Sequence, residues 1–264
     1  MAIQDWKQGN TNLAMVQAGS ADVDRSGFGI GAKAGFGTFH SFESLRKALS
    51  IHSTDNIAFF DDFLGAALST KWATQASSGT TVSISSQATE GKASLVADAT
   101  INHFGNLALG LHFLVSKGYT FFEARVKNVS AITARILEVG FNDALAPAAG
   151  LAFSNHTTPT AVSTNAAIFG YASTENALWK INTVKASSAL KTVITNAPST
   201  SYQKLGVIIE SNGTAHFFVD GVRVSTVTNA VATTAVLTPW IAIKTTAGTA
   251  ATLDVDYAYV AGTR

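Results

Sequence analysis

Lys204–Val227, KLGVIIESNGTAHFFVDGVRVSTV, is the stretch whose spacing decides the architecture. Three runs of mixed apolar and polar residues, KLGVIIE, TAHFFV and VRVSTV, are separated by Asn212-Gly213 and Asp220-Gly221. Both dipeptides suit the positive φ angles of tight hairpin turns, so three consecutive antiparallel strands are predicted. The same grammar extends in both directions from about Ile57 onward. Strands are expected at Val82–Ser86, Ala93–Ala97, Tyr119–Val129, Ala134–Phe141, Ala166–Tyr171, Leu178–Val184, Trp240–Thr245 and Thr252–Val260. Roughly a dozen short strands with hardly a helix read as an all-β antiparallel sandwich. No self-similar period appears, which excludes a propeller or solenoid.

The doublets Phe59-Phe60, Phe121-Phe122 and Phe217-Phe218 sharpen that reading. Successive strand residues point to opposite faces, so each doublet sends one ring to each face of its sheet. One face meets the core. The other needs a cover too, from a partner or from the N-terminal arm itself.

The 264 residues are enough for one large core, and 47% hydrophobic against 13% charged content argues against disorder over most of the length. Eighteen basic and 17 acidic side chains leave a formal charge of +1, so no summed field draws the protein to nucleic acid or an anionic membrane. The absence of cysteine excludes disulfides, thiolate metal sites and a cysteine nucleophile. The opening MAIQDWKQGN is polar where a signal peptide is apolar, and no window approaches about 18 uninterrupted apolar residues.

Residues 1–57 read as an extended, glycine-rich anchoring arm and 58–264 as the sandwich. Gly27, Gly29, Gly31, Gly35 and Gly37 raise the entropic cost of any fixed shape, so the arm is expected to borrow order from another surface. One short helix is predicted over Ser41–His52, capped by Ser41, with Glu43 in its first turn and Phe42, Leu45 and Leu49 as its apolar stripe. The glycine run follows no predicted strand and lacks a Gly-Lys-Ser/Thr ending, so it is not read as a phosphate loop.

FFDDFLGAALSTKW (Phe59–Trp72), YTFFEARVKNV (Tyr119–Val129), ILEVGFND (Ile136–Asp143), the two glycine hairpins and LDVDYAYV (Leu253–Val260) together resemble the concanavalin A-like jelly-roll domains of laminin-G-like modules, laminarinase-type glycoside hydrolases and many bacteriophage virion proteins. The resemblance implies a concanavalin A-like jelly-roll β-sandwich. The hydrolases of this fold place two glutamates and an aspartate at alternate strand positions, so that acid and nucleophile share a face. Here Glu138 and Asp143 stand five apart on opposite faces, and the expectation is that the protein is not an enzyme. Asp254 and Asp256 share a face and are expected to be solvated, opposite Leu253, Val255, Tyr257 and Tyr259.

No cofactor is expected. The six histidines show no short metal-ligand spacing, and Asp61, Asp62 and Asp256 are the carboxylates that a structural calcium of related jelly rolls would use. Arg125, Lys127 and Arg135 form a local basic strip beside Glu123 and Glu138. Among the aromatic residues Trp72, Trp179, Trp240, Tyr171 and Tyr202, Trp179 with Tyr171 is the pair to test for sugar stacking.

The expected function is a bacteriophage virion structural protein, a capsid decoration or cement protein on the capsid exterior, made in the host cytoplasm. Its partners would be the major capsid protein and neighbouring copies of itself, as a homo-oligomer such as a trimer, with no specific nucleic acid and no membrane. Trp6, Phe28, Ile30, Phe36, Phe39, Phe42, Leu45 and Leu49 are the expected contacts of the arm. The alternative is a carbohydrate-binding tail or fibre module for host glycans.

Overall fold

The computed structural model describes residues 56–85, 91–110, 112–129, 132–156 and 158–263. The predicted helix and all eight expected arm contacts, Trp6, Phe28, Ile30, Phe36, Phe39, Phe42, Leu45 and Leu49, lie outside them.

The predicted triplet forms as β14 (Gln203–Ile209), β15 (Ala215–Val219) and β16 (Val222–Val227). Asp220 and Gly221 take φ of 51° and 82°, the two left-handed residues that a two-residue hairpin turn requires. Gly213 has φ of 82° and a Cβ there would collide with the Val231 carbonyl, so both conformation and space demand glycine. Outward from this triplet, β7 (Thr120–Asn128) pairs β14, and β18 (Ala251–Thr263) pairs β7. The far side of β18 is shared end to end by β4 (Ala93–Ala97) and β1 (Asn56–Asp61), and β3 (Thr81–Ile84) closes the edge beyond β4. These strands make sheet one.

Sheet two runs β13 (Ser188–Val193), β12 (Lys180–Lys185), β11 (Ala166–Ala172), β8 (Arg135–Asn142), β17 (Val236–Thr245), β5 (Phe104–Leu109) and β2 (Trp72–Ala76), with β6 (Phe113–Leu114) also on β17. Among the described residues, every strand pairing in both sheets is antiparallel. A small hairpin of β9 (Phe153–Asn155) and β10 (Thr160–Ala161) stands apart from the two sheets. This is the two-layer antiparallel sandwich that the alternation implied. The strands at 72–76, 104–109 and 188–193 were not anticipated, because Gly105-Asn106 and runs of Ser, Thr and Lys dilute their apolar alternation.

Between the sheets lies one apolar cluster that includes Phe122, Phe141, Phe169, Phe217, Trp179 and Tyr171. Its rings meet edge to face, Phe122–Phe141 at 5.9 Å and Phe169–Phe217 at 5.4 Å between centroids. Each phenylalanine doublet divides as alternation requires: Phe59, Phe122 and Phe217 face this core, while Phe60, Phe121 and Phe218 face outward on sheet one. Alternation fails at one place in β18. A bulge between Val255 and Tyr257 turns Tyr257 and Tyr259 to the outward face, where they were expected inward. Asp254 is also corrected, because it is 1% exposed and bonded by Ser94 Oγ and Lys92 Nζ, each at 2.6 Å.

Candidate functional site

The outward face of sheet two carries the densest polar chemistry of the described residues. On β8 the residues of this face are Glu138, Gly140 and Asn142, opposed across the ladders by Gly170 on β11 and by Trp240 and Ala242 on β17. Asn182 reaches the same face from β12, in register with Ile168. Above them runs a strap, residues 144–156, whose Leu151, Ala152 and Phe153 pack on Ala108, Ala166, Ile168, Val184, Trp240 and Ala242.

Glu138 holds the strap. Its Oε2 accepts the Ala152 N–H at 2.7 Å and the Trp240 indole N–H at 2.8 Å, and its Oε1 accepts the Phe153 N–H at 2.9 Å. His156 Nε2 stands 3.2 Å from Oε1, and its Nδ1 meets Asn182 Nδ2 at 2.5 Å. Both ionisable side chains are fully buried. A buried carboxylate survives only where its lone pairs are matched by donors, and here two backbone N–H groups and the Trp240 indole N–H supply them. Gly170 completes the arrangement, since a Cβ there would collide with the His156 ring and crowd Asn182. Burial holds the Lys244 ammonium below its ordinary range, opposed by the attraction of Glu138.

Chemically, this is an anchor. Neither oxygen of Glu138 faces solvent, Gly140 supplies no side chain, and Asn142 is spent on the Ala144 carbonyl and the Asp143 N–H. Asp143 accepts the Asn165 N–H at 2.6 Å and so ties the far end of the same segment. Sequence reasoning singled out Glu138 and Asp143 but missed His156, Asn182 and the strap. The available signal was the long stretch 143–165, which shows no strand alternation and is too long to be a simple connection.

Trp179 and Tyr171 are corrected as sugar contacts: they are 1% and 2% exposed and pack edge to face at 6.1 Å inside the core, so neither offers a ring face. Burial raises the Tyr171 hydroxyl above its usual range, and it donates to the Ile132 carbonyl at 2.8 Å. Trp240 is equally buried, bonded to Glu138. Asp61 receives the Phe63 N–H and the Trp72 indole N–H, both at 2.8 Å, which gives the Asp-Asp-Phe…Trp motif a structural reading. Asp62 accepts the Leu64 N–H at 3.4 Å, and Asp256 is paired with Arg125 at 2.7 Å. Among the described residues no group of three or more His, Cys, Asp or Glu is placed to hold a metal.

Arg125 and Lys127 do share a surface, both over the Tyr202 ring at 4.4 and 4.8 Å. Arg135 is removed from that strip: it is 1% exposed, donates to Asn128 Oδ1 and the Thr133 carbonyl, and burial lowers its pKa. No helix among the described residues is long and apolar enough to cross a membrane.

No protein-family model and no curated protein sequence matches the chain. Solved structures do match. A protein of unknown function, SO2946, from Shewanella oneidensis MR-1 is 16% identical with a TM-score of 0.56, over 84% of this chain and 93% of that one. A glycoside hydrolase family 16 endo-glucanase from Bacteroides ovatus is 12% identical with a TM-score of 0.53, over 76% and 99%. Peanut lectin is 14% identical with a TM-score of 0.55, over 78% and 97%. The fold is therefore the concanavalin A-like jelly roll shared by lectins and glucanases. The expectation that the protein is not an enzyme is corrected by the same finding, because working hydrolases are built on this architecture. The fold supplies no ground for excluding catalysis, which a reducing-sugar assay on β-glucans measures directly.

Proposed function

We propose that the protein is a virion structural protein of a bacteriophage, a capsid decoration or cement protein whose sandwich is displayed on the shell and whose arm, residues 1–57, attaches it. One observation carries the reading: the outward face of sheet two is closed by the strap, and its buried carboxylate is committed to holding that closure. A body that covers its own sheet face suits a rigid displayed knob. The near-neutral charge and the arm's glycine-spaced aromatic residues support attachment through many small apolar contacts spread over neighbouring subunits. Deletion of residues 1–55, which stops short of β1, is expected to abolish co-sedimentation with the particle while leaving the sandwich folded. Unchanged binding of the truncated protein overturns the reading.

A second reading, a carbohydrate-binding tail or fibre module, draws on the likeness to peanut lectin and on Tyr202, an aromatic ring held on the surface by Arg125 and Lys127. Its test is a glycan array with Tyr202→Ala as the control, since Trp179 is inaccessible. Binding of a glycan that the variant loses favours this reading.

A further inference from the structure

The polar end of sheet one's outward face gathers cations around an aromatic ring. Arg125 and Lys127 of β7 share this face, because Ala124 and Val126 on the same strand point into the core. Lys204 of β14 stands directly opposite Arg125 in the ladder. Like charges at opposed positions, with Cβ atoms about 5 Å apart, weaken a sheet. Tyr202, just before β14, lies with its ring under both Arg125 and Lys127. All four side chains reach solvent: Lys204 is exposed, Tyr202 and Lys127 are half-buried, and the Arg125 side chain is 38% exposed.

The carboxylates nearby are committed elsewhere. Asp254 faces Lys127 across the ladder but is held by Ser94 and Lys92. Asp256 takes one nitrogen of Arg125, Nη1, and Asp220 accepts the backbone N–H of Lys204. Glu123, one row further along β7, accepts the Tyr257 hydroxyl at 2.7 Å. Among the described residues no hydrogen bond or ion pair occupies the Lys127 or Lys204 ammonium, and the other guanidinium nitrogens of Arg125 have none. Donors of this kind pair best with a carboxylate or a sulfate. The ring contributes a rigid apolar surface with a hydroxyl at its edge, which suits the C–H face of a pyranose and has no flat counterpart in an acidic peptide. A net charge of +1 draws no polyanion from afar, so recognition here is short-range and depends on this local fit.

We propose that Tyr202, Arg125, Lys127 and Lys204 form a binding site for an anionic saccharide, a pyranose bearing a carboxylate or a sulfate group. The sugar ring stacks on Tyr202, and the three cations surround its charge. Binding offsets the repulsion between Lys204 and Arg125, so an arrangement that weakens the free sheet becomes favourable in the complex. The proposal rests on the carbohydrate-module reading and narrows it to acidic glycans.

The test titrates the full chain, by calorimetry, with a sulfated, a uronate-containing and a neutral oligosaccharide of equal length, and with polyglutamate as a polyanion that is not a sugar. Binding of the sulfated or the uronate chain is expected, and the two arms tell which anion the site takes. Affinity should fall as salt is raised. It should fall at least about tenfold in Lys127→Gln/Lys204→Gln, which removes charge-assisted bonds, and also in Tyr202→Ala. Thermal unfolding checks that both variants keep the wild-type fold. Acidic-saccharide binding that survives the double lysine variant overturns the proposal. Neutral chains bound as tightly as acidic ones, and lost in Tyr202→Ala, also overturn it but leave the carbohydrate reading standing. No binding of any saccharide overturns both. Polyglutamate bound as tightly as the acidic sugars, with Tyr202→Ala unaffected, overturns the assignment to a saccharide.

Discussion

The outward face of sheet two is closed by a strap fastened to a buried carboxylate, whereas the outward face of sheet one offers rings and aliphatic side chains. The difference lies in directionality. Hydrogen bonds to Glu138 specify one position of the strap, because any displacement leaves a charge and several donors unsatisfied inside the protein. Apolar contact on sheet one sets no such register and tolerates sliding. The first face is therefore suited to permanent closure.

The largest expected effect breaks the anchored face. Glu138→Ala leaves the Ala152 and Phe153 N–H groups and the Trp240 indole without their acceptor, and is expected to cost about 3–5 kcal/mol of stability in urea denaturation. Limited proteolysis should then cut within 144–156 first. A loss below about 1 kcal/mol would mean that the strap is held by apolar packing alone.

A smaller effect is expected at the polar margin of sheet one. Arg125 pairs with Asp256 and lies over Tyr202, and its pKa is raised chiefly by the hydrogen bond to Asp256. The site is partly solvated, so Arg125→Ala should cost no more than about 1 kcal/mol and less at high salt. A salt-independent loss of several kcal/mol would place a directional anchor on this face too.

The smallest effect is a sign. Burial lowers the Lys244 pKa in the folded state, so in the window between that value and the ordinary lysine range the unfolded chain binds more protons. Stability contributed at this site is therefore expected to rise as pH increases through the window. Lys244→Met should be slightly more stable than wild type near pH 8, and the difference should shrink toward pH 10.5. A difference that grows with pH would show that the attraction of Glu138, not burial, governs the group.

How much of this was legible depended on range. The β14–β16 triplet followed from two turn dipeptides and strict alternation, both local properties of the chain. The doublets correctly announced that sheet one has two apolar faces. Glu138 was visible as a strand carboxylate without its expected partners, but its task was not, since Ala152, Phe153 and His156 arrive from a segment without periodicity. Trp179 and Trp240 read alike in sequence. Trp179, just before β12, became core, and Trp240 on β17 became an N–H donor to Glu138 on the outward face of sheet two.

By itself, the order of residues determined most of the strands, the β14–β16 hairpins, the absence of thiol chemistry and the near-zero charge, because each depends on neighbours a few positions away or on composition alone. Only the folded chain decided that β18 bulges at Asp256, that Arg135 lies inside, and that the Glu138 face is sealed. Those outcomes are sums over contacts between residues tens to more than a hundred positions apart. No local pattern records such sums.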